Sequence, residues 1–180
     1  MKKVFSILSV SIILASCGGN VSKFKPIIEE VSSKWDTTTS AVTEFSTMVK
    51  NEQATVLNLS NNLQIDPTTM QKWDEATTAK FNNIKAMVQS NSNELTSIST
   101  EVDSFVSSWI EKSKDLTALK EGLVSGKLEG DVQGKINALT VATTDAASKL
   151  NTWQEQFGKI KATVADISIK FSEFKGAYLQ

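Results

Sequence analysis

The side chains able to do chemistry are few in kind. The chain has one cysteine, Cys17, no histidine and no arginine, so its 19 basic residues are all lysine. Once Cys17 is set aside, the usual metal ligands, histidine-dependent triads, cysteine nucleophiles and bidentate guanidinium clamps are missing. Carboxylates, ammonium groups and hydroxyls remain, a set that predicts no enzyme, no metal site and no cofactor. The surroundings of Cys17 are more specific. Lys2 and Lys3 precede an uncharged run from Val4 to Leu14, which closes on Ala15, Ser16 and then the cysteine. Eleven residues fall well short of the roughly 20 that cross a hydrocarbon core, which argues against a transmembrane anchor. An ordinary secretory signal, or a free buried thiol, would leave the position of the only cysteine unexplained.

Leu14, Ala15, Ser16 and Cys17 resemble the lipobox of a bacterial lipoprotein signal peptide. The resemblance implies that signal peptidase II removes residues 1–16, that the Cys17 thiol carries diacylglycerol, and that its new amino terminus is often acylated, for instance with palmitate. Each buried methylene contributes about 0.8 kcal/mol, so two or three acyl chains form a lasting membrane anchor. Gly18 is similar to the enterobacterial outer-membrane pattern in lacking an aspartate after the cysteine. The expected location is therefore the cell envelope, more specifically the outer membrane, with the periplasmic or surface side left open. Beyond the lipobox, only a general organisation is shared with long helical lipoproteins of diderm envelopes.

The rest of the chain must position whatever this anchor holds. Residues 17–24 are small and polar apart from Val21 and Phe24, and read as a flexible tether. From Phe24 the apolar positions recur in steps of four and three through Ile28, Val31, Trp35, Val42, Phe45, Val49, Val56, Leu59 and Leu63. A period of 3.5 marks a helix supercoiled against others. A second seam runs from Phe81 to Leu123 and a third from Val132 to Tyr178. Asp66-Pro67 reads as the turn between helices 1 and 2, and Gly126 and Asp131 as the C-terminal and N-terminal caps around the next connection. The expected fold is all-α: one elongated antiparallel three-helix bundle of coiled-coil type over 25–180, with helices at about 25–64, 67–124 and 131–179.

Five polar residues interrupt the seams: Thr38, Glu52, Asn91, Lys112 and Thr143. A tight turn at Asp66 sets Thr38 level with Asn91, and one at Gly126 sets Lys112 level with Thr143. Buried polar pairs of this kind penalise slipped registers, so the four paired residues are expected to set the register. Glu52 falls level with Lys80, and Lys112 lies within reach of Asp145 and Asp115, as ion pairs. Trp35, Trp109 and Trp153 sit on the seams and are expected in the core opposite Leu95, Ala146 and Val102.

Unequal helix lengths carry a functional expectation. Under the same tight turn, roughly sixteen residues of helix 2 and the start of helix 3 project past helix 1, by about 24 Å at 1.5 Å per residue. Two helices cover such a seam incompletely, making Trp109, Leu116, Leu119, Leu123, Val132, Ile136 and Leu139 a candidate interaction surface. A helical tether covering that stripe is the competing possibility. The partners expected are the membrane, through the N-terminal lipid, and a protein or a second copy at this hairpin. A mature chain with 17 lysines against 20 acidic residues has no basic excess to suggest nucleic acid. The function expected is a non-enzymatic interaction or spacer module; the alternative is a carrier that opens its bundle around a lipid or other apolar ligand.

Overall fold

Long heptad seams demand long helices, and every regular element among the described residues is an α-helix. The computed structural model describes residues 19–179. Four helices follow one another: α1 Gly19–Asn62, α2 Pro67–Met70, α3 Glu75–Ser125 and α4 Val132–Tyr178. The all-α class is as expected, but the number of helices is not. What reads as one helix over 67–124 is divided into α2 and α3. Asp66 caps α2, accepting the Thr68 N–H at 2.7 Å, and the chain then leaves the helix at Gln71. Asp74 caps α3, accepting the Thr77 N–H at 2.7 Å. Hydrogen bonds from the Thr77 side chain and backbone hold the Asp74 carboxyl below its usual range. Thus Asp74 and Thr77, which look like defects in a seam, form a helix start.

The first helix also differs from expectation. It begins at Gly19, so the segment expected as a flexible tether over 17–24 is helical from that residue onward. Pro26 therefore lies inside α1 rather than in its first turn. A proline there removes one N–H donor. Burial offsets this locally, because Val21 and Phe24 pack onto a core cluster built from all three long helices.

Each long helix packs against the other two. One cluster joins Val42–Leu63 of α1 to Phe81–Val102 of α3 and Leu150–Phe174 of α4. The other joins Ile28, Val31 and Trp35 to Trp109–Leu123 and Val132–Ala146. Ile65, Met70 and Trp73 of the α2 elbow close the end of the first cluster. The apolar seam residues of all three helices are buried, apart from Phe24 and Phe105, which are half-buried, and Tyr178, which is 37 % exposed. Helix propensity contributes less: threonines are mediocre helix formers, and Thr37, Thr38 and Thr39 each return a hydroxyl hydrogen bond to the carbonyl four residues back.

The α3–α4 connection follows its sequence signals. Gly126 has φ 73°, and the Gly126 and Lys127 N–H groups donate to the carbonyls of Leu123 and Gly122. This is a Schellman motif, which needs a residue that tolerates the left-handed region. Asp131 caps α4 by accepting the Gly134 N–H at 2.8 Å.

Candidate functional site

Leu14, Ala15, Ser16 and Cys17 lie outside the described residues. Val21 and Phe24 of α1 pack on the cluster that also contains Leu123 of α3 and Val132 of α4. The start of α1 therefore lies at the same end as the Gly126 connection.

That placement corrects the expected interaction surface. Trp109, Leu116, Leu119, Leu123, Val132, Ile136 and Leu139 are all buried, none above 8 % exposure. The projecting hairpin is absent because α1 extends beside it. Two effects combine. α1 starts earlier than the tether reading allowed, and Trp35 stacks on Trp109 instead of meeting Leu95, about four helical turns further along α3. The elbow containing α2 takes the place of a tight turn, so pairs computed by folding the chain at Asp66 fall at the wrong level.

The polar residues expected to set the register divide in two. Asn91 and Thr143 are buried at 5 % and 6 % exposure. Each bonds within its own helix, the Asn91 amide to the Met87 carbonyl at 2.8 Å and the Thr143 hydroxyl to the Thr140 carbonyl at 2.8 Å. Thr38 is half-buried and Lys112 is exposed, so neither expected pair forms across helices. Lys112 stays in water because burying an unpaired ammonium costs far more than leaving it exposed. Asp115 instead approaches Lys135 at 3.7 Å, and Lys80 donates to the Tyr178 hydroxyl at 3.3 Å rather than meeting Glu52. Asn91→Leu is expected to raise the thermal midpoint, since it removes a desolvated amide whose hydrogen bond is local. A fall of several degrees on melting would show that the amide is needed.

What does tie the helices together is aromatic. Trp35 and Trp109 lie face to face, ring centroids 3.5 Å apart and planes 10° from parallel. Trp109 continues to Phe105 at 5.4 Å, Phe105 to Trp153 at 5.6 Å, Trp153 to Phe45 at 6.1 Å and Phe45 to Phe157 at 5.6 Å. A chain of six rings thus crosses between the two clusters, drawing on all three long helices. The expected core position of the tryptophans holds; Trp35 meets a ring rather than Leu95, while Trp109 shares its cluster with Ala146 and Trp153 with Val102, each with rings packed beside them.

Buried indole N–H groups need acceptors. Trp109 Nε1 donates to Thr39 Oγ1 at 2.9 Å, linking α3 to α1, and Trp153 Nε1 donates to Glu101 Oε2 at 3.0 Å, linking α4 to α3. Thr39 in turn donates to the Trp35 carbonyl at 2.8 Å. Thr39 and Glu101 are the register-setting polar residues that seam reasoning missed, because both stand one residue beside the seam. The usable signal was the need of the Trp109 and Trp153 indoles for an acceptor on a neighbouring helix.

Among the described residues no three or more acidic or thiol side chains gather as metal ligands, and no helix is long and apolar enough to cross a membrane. No protein-family model matches the chain, and neither does any curated protein or solved structure.

Proposed function

We propose that this chain is a lipid-anchored, non-enzymatic spacer of the bacterial cell envelope, held through Cys17 and directed to the outer membrane. Its body is a single elongated antiparallel three-helix bundle of coiled-coil type made of α1, α3 and α4. The observation that carries this is the nearness of the lipobox cysteine to a long helix: Gly19, two residues after Cys17, already belongs to α1. Two peptide steps span at most about 7 Å, so an acylated Cys17 couples the bundle to the bilayer almost directly.

The antiparallel arrangement is supported by partners that rise in one helix as they fall in the next. Trp35 pairs with Trp109, and Asp115 with Lys135; further along, Glu101 pairs with Trp153 and Phe81 with Phe174. At 1.5 Å per residue, the 44, 51 and 47 residues of the three helices correspond to about 65–75 Å. A bundle of that length anchored at the Gly126 end would hold the α2 elbow far from the bilayer. The filled ring column favours a spacer over a carrier that opens around an apolar ligand, since separating Trp35 from Trp109 would expose two large buried side chains.

Membrane attachment distinguishes this proposal from a peripheral helical protein. The full chain should sediment with envelope membranes and be released by detergent but not by high salt or alkaline carbonate. Release by salt alone would contradict the lipid anchor.

A further inference from the structure

Near the elbow, the surfaces of α3 and α4 leave a groove of about 370 Å³. Ile84, Met87 and Phe174 supply its apolar lining, and Lys80, Lys170 and Tyr178 its polar edge, with Glu173 the one carboxylate. Ile84 and Phe174 are 6 % and 4 % exposed, so the floor is part of the core. Phe174 is braced by three rings, Tyr178 at 4.9 Å, Trp73 at 5.2 Å and Phe81 at 5.4 Å.

Three lysines of this end lie over aromatic rings. Lys80 stands 5.7 Å from the centre of the Tyr178 ring, Lys85 5.8 Å from Phe81 and Lys175 5.9 Å from Phe171. None of the three has a carboxylate within ion-pair distance among the described residues, whereas Lys170 pairs with Asp166 at 2.7 Å. The Lys80 ammonium, held against the Tyr178 hydroxyl at 3.3 Å and acting on the Asp74 carboxylate only through space, brings a positive charge to the mouth of an apolar groove. Its volume lies at the lower end of the range of roughly 300–1,000 Å³ typical of small-ligand sites.

We propose that this groove binds a small amphiphilic carboxylate, with an unbranched acyl chain along Ile84, Met87 and Phe174 and the carboxylate at Lys80 Nζ. The site is independent of the anchor and leaves the ring column closed, so it goes beyond the spacer reading and can fail without it. A carboxylate beside an ammonium is a charge-assisted pair, while the tail supplies affinity by leaving water.

The test is calorimetric titration of dodecanoate, below its micelle concentration, into the full chain carrying Cys17→Ser. Saturable one-to-one binding is expected. Lys80→Met should weaken it roughly five-fold or more, as loss of one solvent-exposed charge contact implies. Lys85→Met, outside the groove lining, should leave it unchanged. Dodecanol, with the same chain and no charge, should bind at least about five-fold more weakly than dodecanoate. Ala177→Trp should fill the groove and abolish binding while the helical circular dichroism is retained. Absence of saturable binding, equal affinity for dodecanol, or an affinity unchanged in both Lys80→Met and a folded Ala177→Trp would overturn the proposal.

Discussion

Replacing Trp109 by alanine should lower the thermal midpoint by roughly 10 °C, corresponding to about 3–5 kcal/mol in a chain of this size. Truncation removes the face-to-face contact with Trp35 at 3.5 Å and the contact with Phe105 at 5.4 Å. It also leaves Thr39 Oγ1 without the indole N–H it accepts. The void would open where the two core clusters meet, with α1, α3 and α4 all bordering it. Had α3 and α4 projected past α1, Trp109 would be half-solvated and the loss much smaller. Trp109→Phe separates the contributions: it keeps most of the ring packing, removes the N–H, and should cost about 1 kcal/mol. Thermal melts followed at 222 nm would check both, and a shift below about 2 °C for the alanine variant would mean that α1 does not cover this part of α3.

The second large effect is chemical. Cys17→Ala should leave the precursor uncleaved at this site and abolish incorporation of labelled palmitate, because alanine has no thiol to receive diacylglycerol. Two or three acyl chains bind a bilayer in a lasting way, since each buried methylene adds about 0.8 kcal/mol. A Cys17→Ala variant that still takes up the label would remove the basis for the anchor.

The seams were legible in the sequence because packing of one helix face leaves a period that no surface preference mimics. Ile28, Phe45, Leu95, Leu139 and Ile167 could be named as core from spacing alone, and all are buried. Gly126 and Asp131 were equally readable, since a left-handed cap and a carboxylate acceptor each demand particular residue types. The elbow was not. Asp74 and Thr77 fall on positions that continue a heptad, so a local capping signal was hidden under a longer-range pattern. The α1–α3 register was lost with the elbow, because pairing across helices depends on how many residues the connection consumes, whereas the α3–α4 register across the Gly126 connection agrees with the Glu101–Trp153 and Phe81–Phe174 pairs. With the α1–α3 register went the supposed surface at Leu116, Leu119 and Leu123. Thr39 and Glu101 were missed for a different reason: an indole is long enough to reach off the seam for its acceptor, and heptad spacing describes backbones rather than reach.

The spacer account is tested most directly by the thickness of the protein layer that the lipidated chain forms on a supported bilayer, measured by neutron reflectometry at low surface density. An upright bundle anchored at the start of α1 predicts a layer extending about 70 Å from the headgroups, the length of its helices. A layer of roughly 20–25 Å, the width of two or three packed helices, would mean that the bundle lies along the membrane and would contradict the account.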